Sequence, residues 1–526
     1  MPWPPRSPTL HAAGGMVCSV DHVASSAGAT MLRAGGSAAD AAIAASAVLA
    51  VTTQHMCGMG GDLFALVHRP NAAPDALCAA GRAGSGSDAT ALRAEGHSAM
   101  PFRGDVRSAP VPGCVDGWCA LHQRHGRLPL RDVLEPARRC AADGFAATPL
   151  LALATALITE VDGAEDFFPP GGLSAGQRVR RPQVAEALSD LATGGRDAHY
   201  GGAFGDGLQA LGGGLYSAAD LARSQADWVE PIALDAWGHR IWTVPPPSQG
   251  YLAPSAAWIA EGLSLPDDPD DDGWAHLLVE AARWAGHDRP QVLHDGADGH
   301  ALLDLDRLRS RREAIDASAR TAPPVPPLPG GTIYLCATDG DGVGVSLIQS
   351  NAADWGCHLV VPGTGIFLHN RGIGFSLEPG HVGELGPGRR PPHTLSPLLV
   401  TRPDGALAAV LGTMGGDSQP QVLLQLLARL LHHHQDPGLA ISAPRWVLAR
   451  DGTGFETWEG DGPDRVALEA GAPAGWEPGL VRRGHDVRRL LPGANVGHAH
   501  AIVATAHGTY AGASDARAGS GAAVGV

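Results

Sequence analysis

Thr332 heads the stretch Gly331-Thr332-Ile333-Tyr334-Leu335-Cys336-Ala337-Thr338-Asp339, directly after a proline-rich run from Thr321 to Gly330. The stretch reads as a buried strand. A turn follows at Asp339-Gly340-Asp341-Gly342, and then a second strand from Val343 to Gln349. A hydroxyl residue that opens a hairpin just past a dispensable linker suits a chain that cuts itself. If the Gly331–Thr332 bond breaks, Thr332 becomes N-terminal, with its hydroxyl as nucleophile and its own amine as base. An ordinary strand threonine is the competing reading, since Gly-Gly-Thr by itself carries little information.

The chain has 526 residues, 44% of them hydrophobic, which is enough for a large α/β body or two to three domains. The 71 glycines and 42 prolines are spread along the chain and read as turns. Only 17% of residues are charged, the formal charge is −16, and no basic stripe occurs, which argues against a nucleic-acid partner. No apolar run reaches the ~20 residues needed to span a bilayer. The opening residues Met1 to Arg6 lack the basic-then-apolar pattern of a secretory signal, so the expected location is cytoplasmic. Eight cysteines without a Cys-x-x-Cys spacing are expected to be free thiols.

Residues 21–50 read as two helices of small residues broken at Gly35-Gly36, followed by the glycine turn Cys57 to Asp62 and a strand from Leu63 to Val67. No Lys-Ser or Lys-Thr follows these glycines, so they are expected to let a backbone pass closely, not to hold a phosphate. Helices are expected at 133–142, 274–286 and 419–433. The acidic run Asp267 to Asp272 lacks the pattern of a calcium loop and reads as solvated surface. His432, His433 and His434 are adjacent, so they cannot share one helix face as metal ligands; an exposed helix end is expected.

Several motifs then fall in a recognisable order. They are Ala24 to Gly28 with Gly35 to Ala42, Gly58 to Gly61, Val111-Pro112-Gly113, Leu134-Glu135-Pro136-Ala137, Pro245 to Ser248, Thr332 to Gly342, Arg390-Pro391 with Ser396-Pro397, Gly415-Gly416, Ala443-Pro444-Arg445, and Gly512 to Arg517. In order and spacing the chain resembles the γ-glutamyltranspeptidase (γ-glutamyltransferase) family of N-terminal-nucleophile hydrolases, over nearly its whole length. The resemblance implies an α+β fold, a four-layer αββα sandwich. It also implies autocatalytic cleavage of a zymogen between Gly331 and Thr332. The products would be a large piece, 1–331, and a small piece, 332–526, that stay associated as a heterodimer in one globular fold. It implies Thr332 as nucleophile, Ser350 as the hydroxyl that orients it, and Gly415 and Gly416 as the oxyanion hole. Thr394 falls where the family grips a substrate carboxylate, with His393 in place of the first of a hydroxyl pair; a histidine plugged into a turn is the alternative there. Arg82 lies near the family's carboxylate-binding arginine. No metal or organic cofactor is needed by this chemistry.

Two departures argue against a γ-glutamyl substrate. Gly374 stands where the family has the aspartate that grips the α-amino group, and Ala352 stands where a polar residue is usual. A buried ammonium without those partners would be expensive. The segments Ser346 to Asn351, Asn370-Arg371-Gly372, Pro392 to Leu395 and Gly412 to Pro420 resemble a branch that includes oxamate amidohydrolase-like and glutathione hydrolase-like proteins. Arg371 enters there as a further carboxylate partner, and Tyr334, shared with that branch, is expected to affect substrate choice. The leading expectation is a self-processing amidohydrolase or acyltransferase acting on a small amide near a carboxylate. A carbon–carbon bond hydrolase using the same nucleophile, and an unprocessed binding homologue, remain as alternatives.

Overall fold

The computed structural model describes residues 4–318, 331–449, 465–494 and 496–526. The proline-rich run Thr321 to Gly330 lies outside the described residues.

Two seven-stranded sheets dominate, and every pairing within them is antiparallel. The first runs, in spatial order, Ala522–Gly525, Gly15–Ser19, Gly331–Asp339, Gly344–Ala352, Asp62–His68, Asp75–Ala79 and Asp227–Val229. The second runs Leu10–Ala12, Tyr510–Ser514, Ala499–Ala504, Leu407–Thr413, Leu398–Thr401, His239–Thr243 and Ile232–Ala236. Both sheets mix strands from either side of the Gly331–Thr332 bond.

Side-chain alternation sorts the strand Gly331–Asp339 between two cores. Ile333, Leu335 and Ala337 face a cluster with the helices His22–Arg33, Ala38–Thr52 and Leu130–Asp143. Tyr334 and Cys336 face the other sheet, in a core with Phe64, Ile348, Leu399 and Val410. A third cluster packs the helices Leu252–Glu261, Asp272–Gly286 and Gln419–Leu427 on the far side of the second sheet. The layers are therefore helix, sheet, sheet, helix, as the sequence leads one to expect.

Local sequence explains the tight places. All fifteen residues of helix Ala38–Thr52 are buried, and its Ser37/Asp40 capping box closes the amino end. Its small side chains let helix His22–Arg33 approach, and a Cβ on Gly28 would come 2.7 Å from the Ala41 carbonyl oxygen. The turn glycines act the same way: a Cβ on Gly60 would lie 2.1 Å from the Phe367 carbonyl oxygen, and one on Gly61 2.3 Å from that of Ser350. The motifs around Arg445 and Arg517 form a buried ion network. Arg445 donates to Asp515 at 2.7 Å and Arg517 to Glu469 at 2.6 Å. Arg445 also donates to the Gly497 carbonyl at 2.8 Å, which ties down the chain beside Gly415.

Three expectations need adjustment. The helix expected over 419–433 is α-helical only to Leu427 and widens to a π-turn at Ala428–His432. His433 is half-buried and accepts from the Trp274 indole at 2.9 Å, so it is not a free surface residue. Tyr334 points into the inter-sheet core, where it bonds Ser346 at 2.9 Å and stacks on His500. The acidic loop behaves as surface, with Asp271 capping the helix that follows by accepting from the Gly273 amide. All eight cysteines are free. Among the described residues no helix is long and apolar enough to cross a membrane.

Tyr334 fits only because Gly412 lies opposite: a Cβ at Gly412 would come 2.2 Å from the ring. Gly412→Ala is expected to lower the urea midpoint by the equivalent of about 1–3 kcal/mol, and Tyr334→Leu in the same chain is expected to recover part of that loss.

Candidate active site

Thr332 sits second in its strand, on the face that looks toward the other sheet, and pairs with Ser350 across the hairpin. The two hydroxyl oxygens are 2.9 Å apart, and both residues are buried. Ser350 Oγ also accepts from the Ala352 amide at 2.8 Å. That contact, together with the left-handed backbone of Ala352 (φ 70°), ends the regular ladder where Gly331 and Thr332 shift register. An alanine costs roughly 1–2 kcal/mol in that conformation, so the bulge is maintained by its surroundings. Gly61 presses on the Ser350 carbonyl from behind and leaves the serine little freedom.

Gly415 and Gly416 follow the strand Leu407–Thr413 and both have positive φ, 132° and 54°. The Gly415 carbonyl accepts from Ser418 through both its amide (3.0 Å) and its hydroxyl (2.7 Å). The Gly416 carbonyl accepts from Gln249 Nε2 at 3.1 Å. Since C=O and N–H lie antiparallel across a trans peptide, anchoring the Gly415 carbonyl also fixes the direction of the Gly416 amide. Gln249 bonds the Thr394 carbonyl at 3.0 Å as well, so one side chain couples this turn to the Pro392–Leu395 segment.

His393 does not reach toward a ligand. Its Nδ1 accepts from the Leu395 amide at 3.3 Å, so Nε2 carries the proton and donates to Asp62 at 3.1 Å. Burial and then the Arg371 charge hold His393 down to about 3, against the pull of Asp62. Burial would raise the Asp62 carboxyl, but His369 and His393 hold it well below the usual carboxylate range. The histidine is therefore neutral and the carboxylate ionised at pH 7. Of the two sequence readings for His393, the geometry matches the histidine plugged into a turn. Arg82 is likewise committed elsewhere: its guanidinium pairs with Asp227 at 2.5 Å and donates to the Ser224 carbonyl at 3.2 Å.

Arg371 and Thr394 come together at a cavity of about 120 Å³, joined by Arg289, Ile373, Gly374 and Phe375. Arg371 is buried, and burial lowers it to about 10, with Asp62 and Asp417 opposing, so it keeps its charge at neutral pH. Among the described residues Thr394 Oγ1 has no hydrogen-bond partner. A Cβ at Gly374 would lie 2.6 Å from the Pro392 carbonyl oxygen, so this backbone has no room for a side chain there. Arg289, Asp62, Gln249 and Asp417 were not singled out from the sequence. Only Asp62 and Asp417, each directly after a Gly-Gly pair, offered a signal.

One group among the described residues has metal-ligand composition, His276, Glu280 and His485. His276 and His485 bond each other at 2.8 Å, and Glu280 pairs with Arg283.

The sequence profile of the family described as Gamma-glutamyltranspeptidase matches residues 24–525. The chain belongs to the γ-glutamyltranspeptidase family. It is 35% identical to the oxamate amidohydrolase proenzyme of Klebsiella pneumoniae, over 97% of this chain and 98% of that protein. It is 36% identical to the glutathione hydrolase-like YwrD proenzyme of Bacillus subtilis, over 85% and 86% of the two chains. The cephalosporin acylase of Bacillus halodurans superposes with a TM-score of 0.90 at 33% identity, covering 100% of this chain and 98% of that one. The γ-glutamyltranspeptidase-family chain is thus an enzyme of the N-terminal-nucleophile hydrolase fold, on the amidohydrolase and acylase side of its family.

Acid should destabilise this fold early. Burial first of all holds His55, His199, His393, His485 and His500 down to about 3, and His498 to about 4, from an ordinary 6.5. Between those values the unfolded chain binds protons that the folded chain refuses, so stability falls as pH drops below 6.5. Urea midpoints measured from pH 8 to pH 4.5 are expected to fall through that window. His500→Phe is expected to flatten the decline by about one proton.

Proposed function

We propose that this protein is a self-processing amidohydrolase that uses Thr332 as its nucleophile. The observation that carries the reading is the buried 2.9 Å contact between the Thr332 and Ser350 hydroxyls at the head of the strand. In the first reaction Thr332 Oγ attacks the Gly331 carbonyl, and the acyl group moves from nitrogen to oxygen. Water then hydrolyses that ester, leaving a carboxylate on Gly331 and a free amine on Thr332. The amine, with a pKa near ~8 in model compounds, takes the hydroxyl proton in the next reaction. The alkoxide attacks the substrate amide, and the Gly415–Gly416 turn receives the oxyanion. The amine returns the proton to the leaving nitrogen, and water resolves the acyl-enzyme. Because both sheets contain strands from both pieces, residues 1–331 and 332–526 remain together after cleavage.

The substrate class we favour is a small amide whose acyl group bears a carboxylate, bound by Arg371 and Thr394. The name of the Klebsiella relative, an oxamate amidohydrolase, points to the same chemistry. A γ-glutamyl group fits poorly, because its ammonium finds no carboxylate at Gly374 and none can be added without moving Pro392.

Intact mass provides the test. The wild type is expected as pieces of 331 and 195 residues, Thr332→Ala as one uncut chain of 526. A wild type that stays whole, or a Thr332→Ala that still cuts, overturns the mechanism. In the processed enzyme Arg371→Met is expected to raise KM for a carboxylated amide by ~10- to 100-fold, the worth of a charged hydrogen bond of about 1.5–3 kcal/mol.

A further inference from the structure

Arg289 is the residue that the family motifs leave without a role and the geometry does not. It opens the short helix Arg289–Val292, right behind Asp288. Asp288 is clamped by Arg307 at 3.0 Å and by Arg311, so the backbone that carries Arg289 is held firmly. The Arg289 side chain is 6% exposed and lines the same cavity as Arg371 and Thr394. One of its terminal nitrogens lies 3.3 Å from Asp417, the residue after Gly416. Its Nε has no hydrogen-bond partner among the described residues, and neither has Thr394 Oγ1.

A guanidinium offers five donors in a planar fork. Here one terminal nitrogen lies 3.3 Å from the buried Asp417 carboxylate while Nε has no hydrogen-bond partner among the described residues, which is costly at a polar cavity unless something accepts from it. A carboxylate on the substrate would supply that acceptor. We propose that Arg289 is a specificity-determining residue: it forms, with Arg371 and Thr394, a two-guanidinium seat for the carboxylate of a compact acyl group, beside its ion pair with Asp417. The inference rests on the amidohydrolase reading and deepens it. Residue 289 belongs to the large piece and Asp417 to the small one, so the seat exists only when the two pieces are together. It also joins the place where the carboxylate binds to the turn that would hold the oxyanion. The cavity of about 120 Å³ limits the acyl group to a few carbons.

The test compares a short amide bearing a terminal carboxylate with the same amide as its methyl ester, on the processed enzyme. Wild type is expected to favour the free acid by at least about 30-fold in kcat/KM. Arg289→Gln is expected to remove most of that preference by raising KM for the acid, so that kcat/KM falls at least about 10-fold more for the acid than for the ester. Arg289→Lys is expected to recover part of the preference, since charge returns without the fork. Equal losses on acid and ester would mean a merely structural role and overturn the proposal, as would no loss on either. If Arg289→Gln fails to fold, the wild-type ratio decides: no preference for the acid overturns the seat. An uncut or inactive wild type would instead overturn the amidohydrolase reading, so the two failures are distinguishable.

Discussion

One strand register organises this molecule. Pairing of Gly331–Asp339 with Gly344–Ala352 puts Thr332 opposite Ser350 and sends both side chains toward the second sheet. A slip by one residue would turn Thr332 into the helix-side core and bring Ile333 to its place. The register is held from both faces. On one, Ile333, Leu335 and Leu347 pack against Ala-rich helices; on the other, Tyr334 packs over Gly412. The Thr332–Ser350 pair therefore inherits its geometry from apolar packing that has no chemistry of its own.

Glycine does a second job. Gly60 and Gly61 bring one loop against the Phe367 and Ser350 carbonyls, Gly412 makes space for Tyr334, and Gly415 and Gly416 reverse the chain at positive φ. Each is a place where a Cβ would strike backbone or a buried ring, or where an L side chain would be strained. At Gly374 the same logic works against a side chain of any kind. A Cβ there would lie 2.6 Å from the Pro392 carbonyl oxygen, so the main chain itself excludes a side chain at this position.

The charges are arranged so that few of them are free to change. Asp62 is held by His393 and the Gly81 amide, Asp515 by Arg445 and Arg517, and Arg82 by Asp227. In a medium of low dielectric an unpaired charge is expensive, so most buried ions here are consumed by structure. Arg371 and Arg289 both line one cavity, together with the Thr394 hydroxyl, which has no hydrogen-bond partner among the described residues. Gln249, which donates to the Thr394 and Gly416 carbonyls, links the cavity wall to the Gly415–Gly416 turn.

The order of short motifs along the sequence determined the family, and with it the four-layer fold and the importance of the hairpin at Thr332. Strands, glycine turns and small-residue helices were legible because they follow local rules, whereas the four-layer fold came through the family resemblance alone. What only the tertiary structure decided was how the long polar side chains are used. His393 and Arg82 were candidate ligand contacts in the sequence, yet each found a carboxylate far away along the chain, at Asp62 and Asp227. Arg289 looked like nothing, yet it reached the cavity across more than a hundred residues, next to Asp417. A sequence shows which groups carry charge; which of them are neutralised inside the fold depends on partners brought close by packing, and no local pattern encodes that.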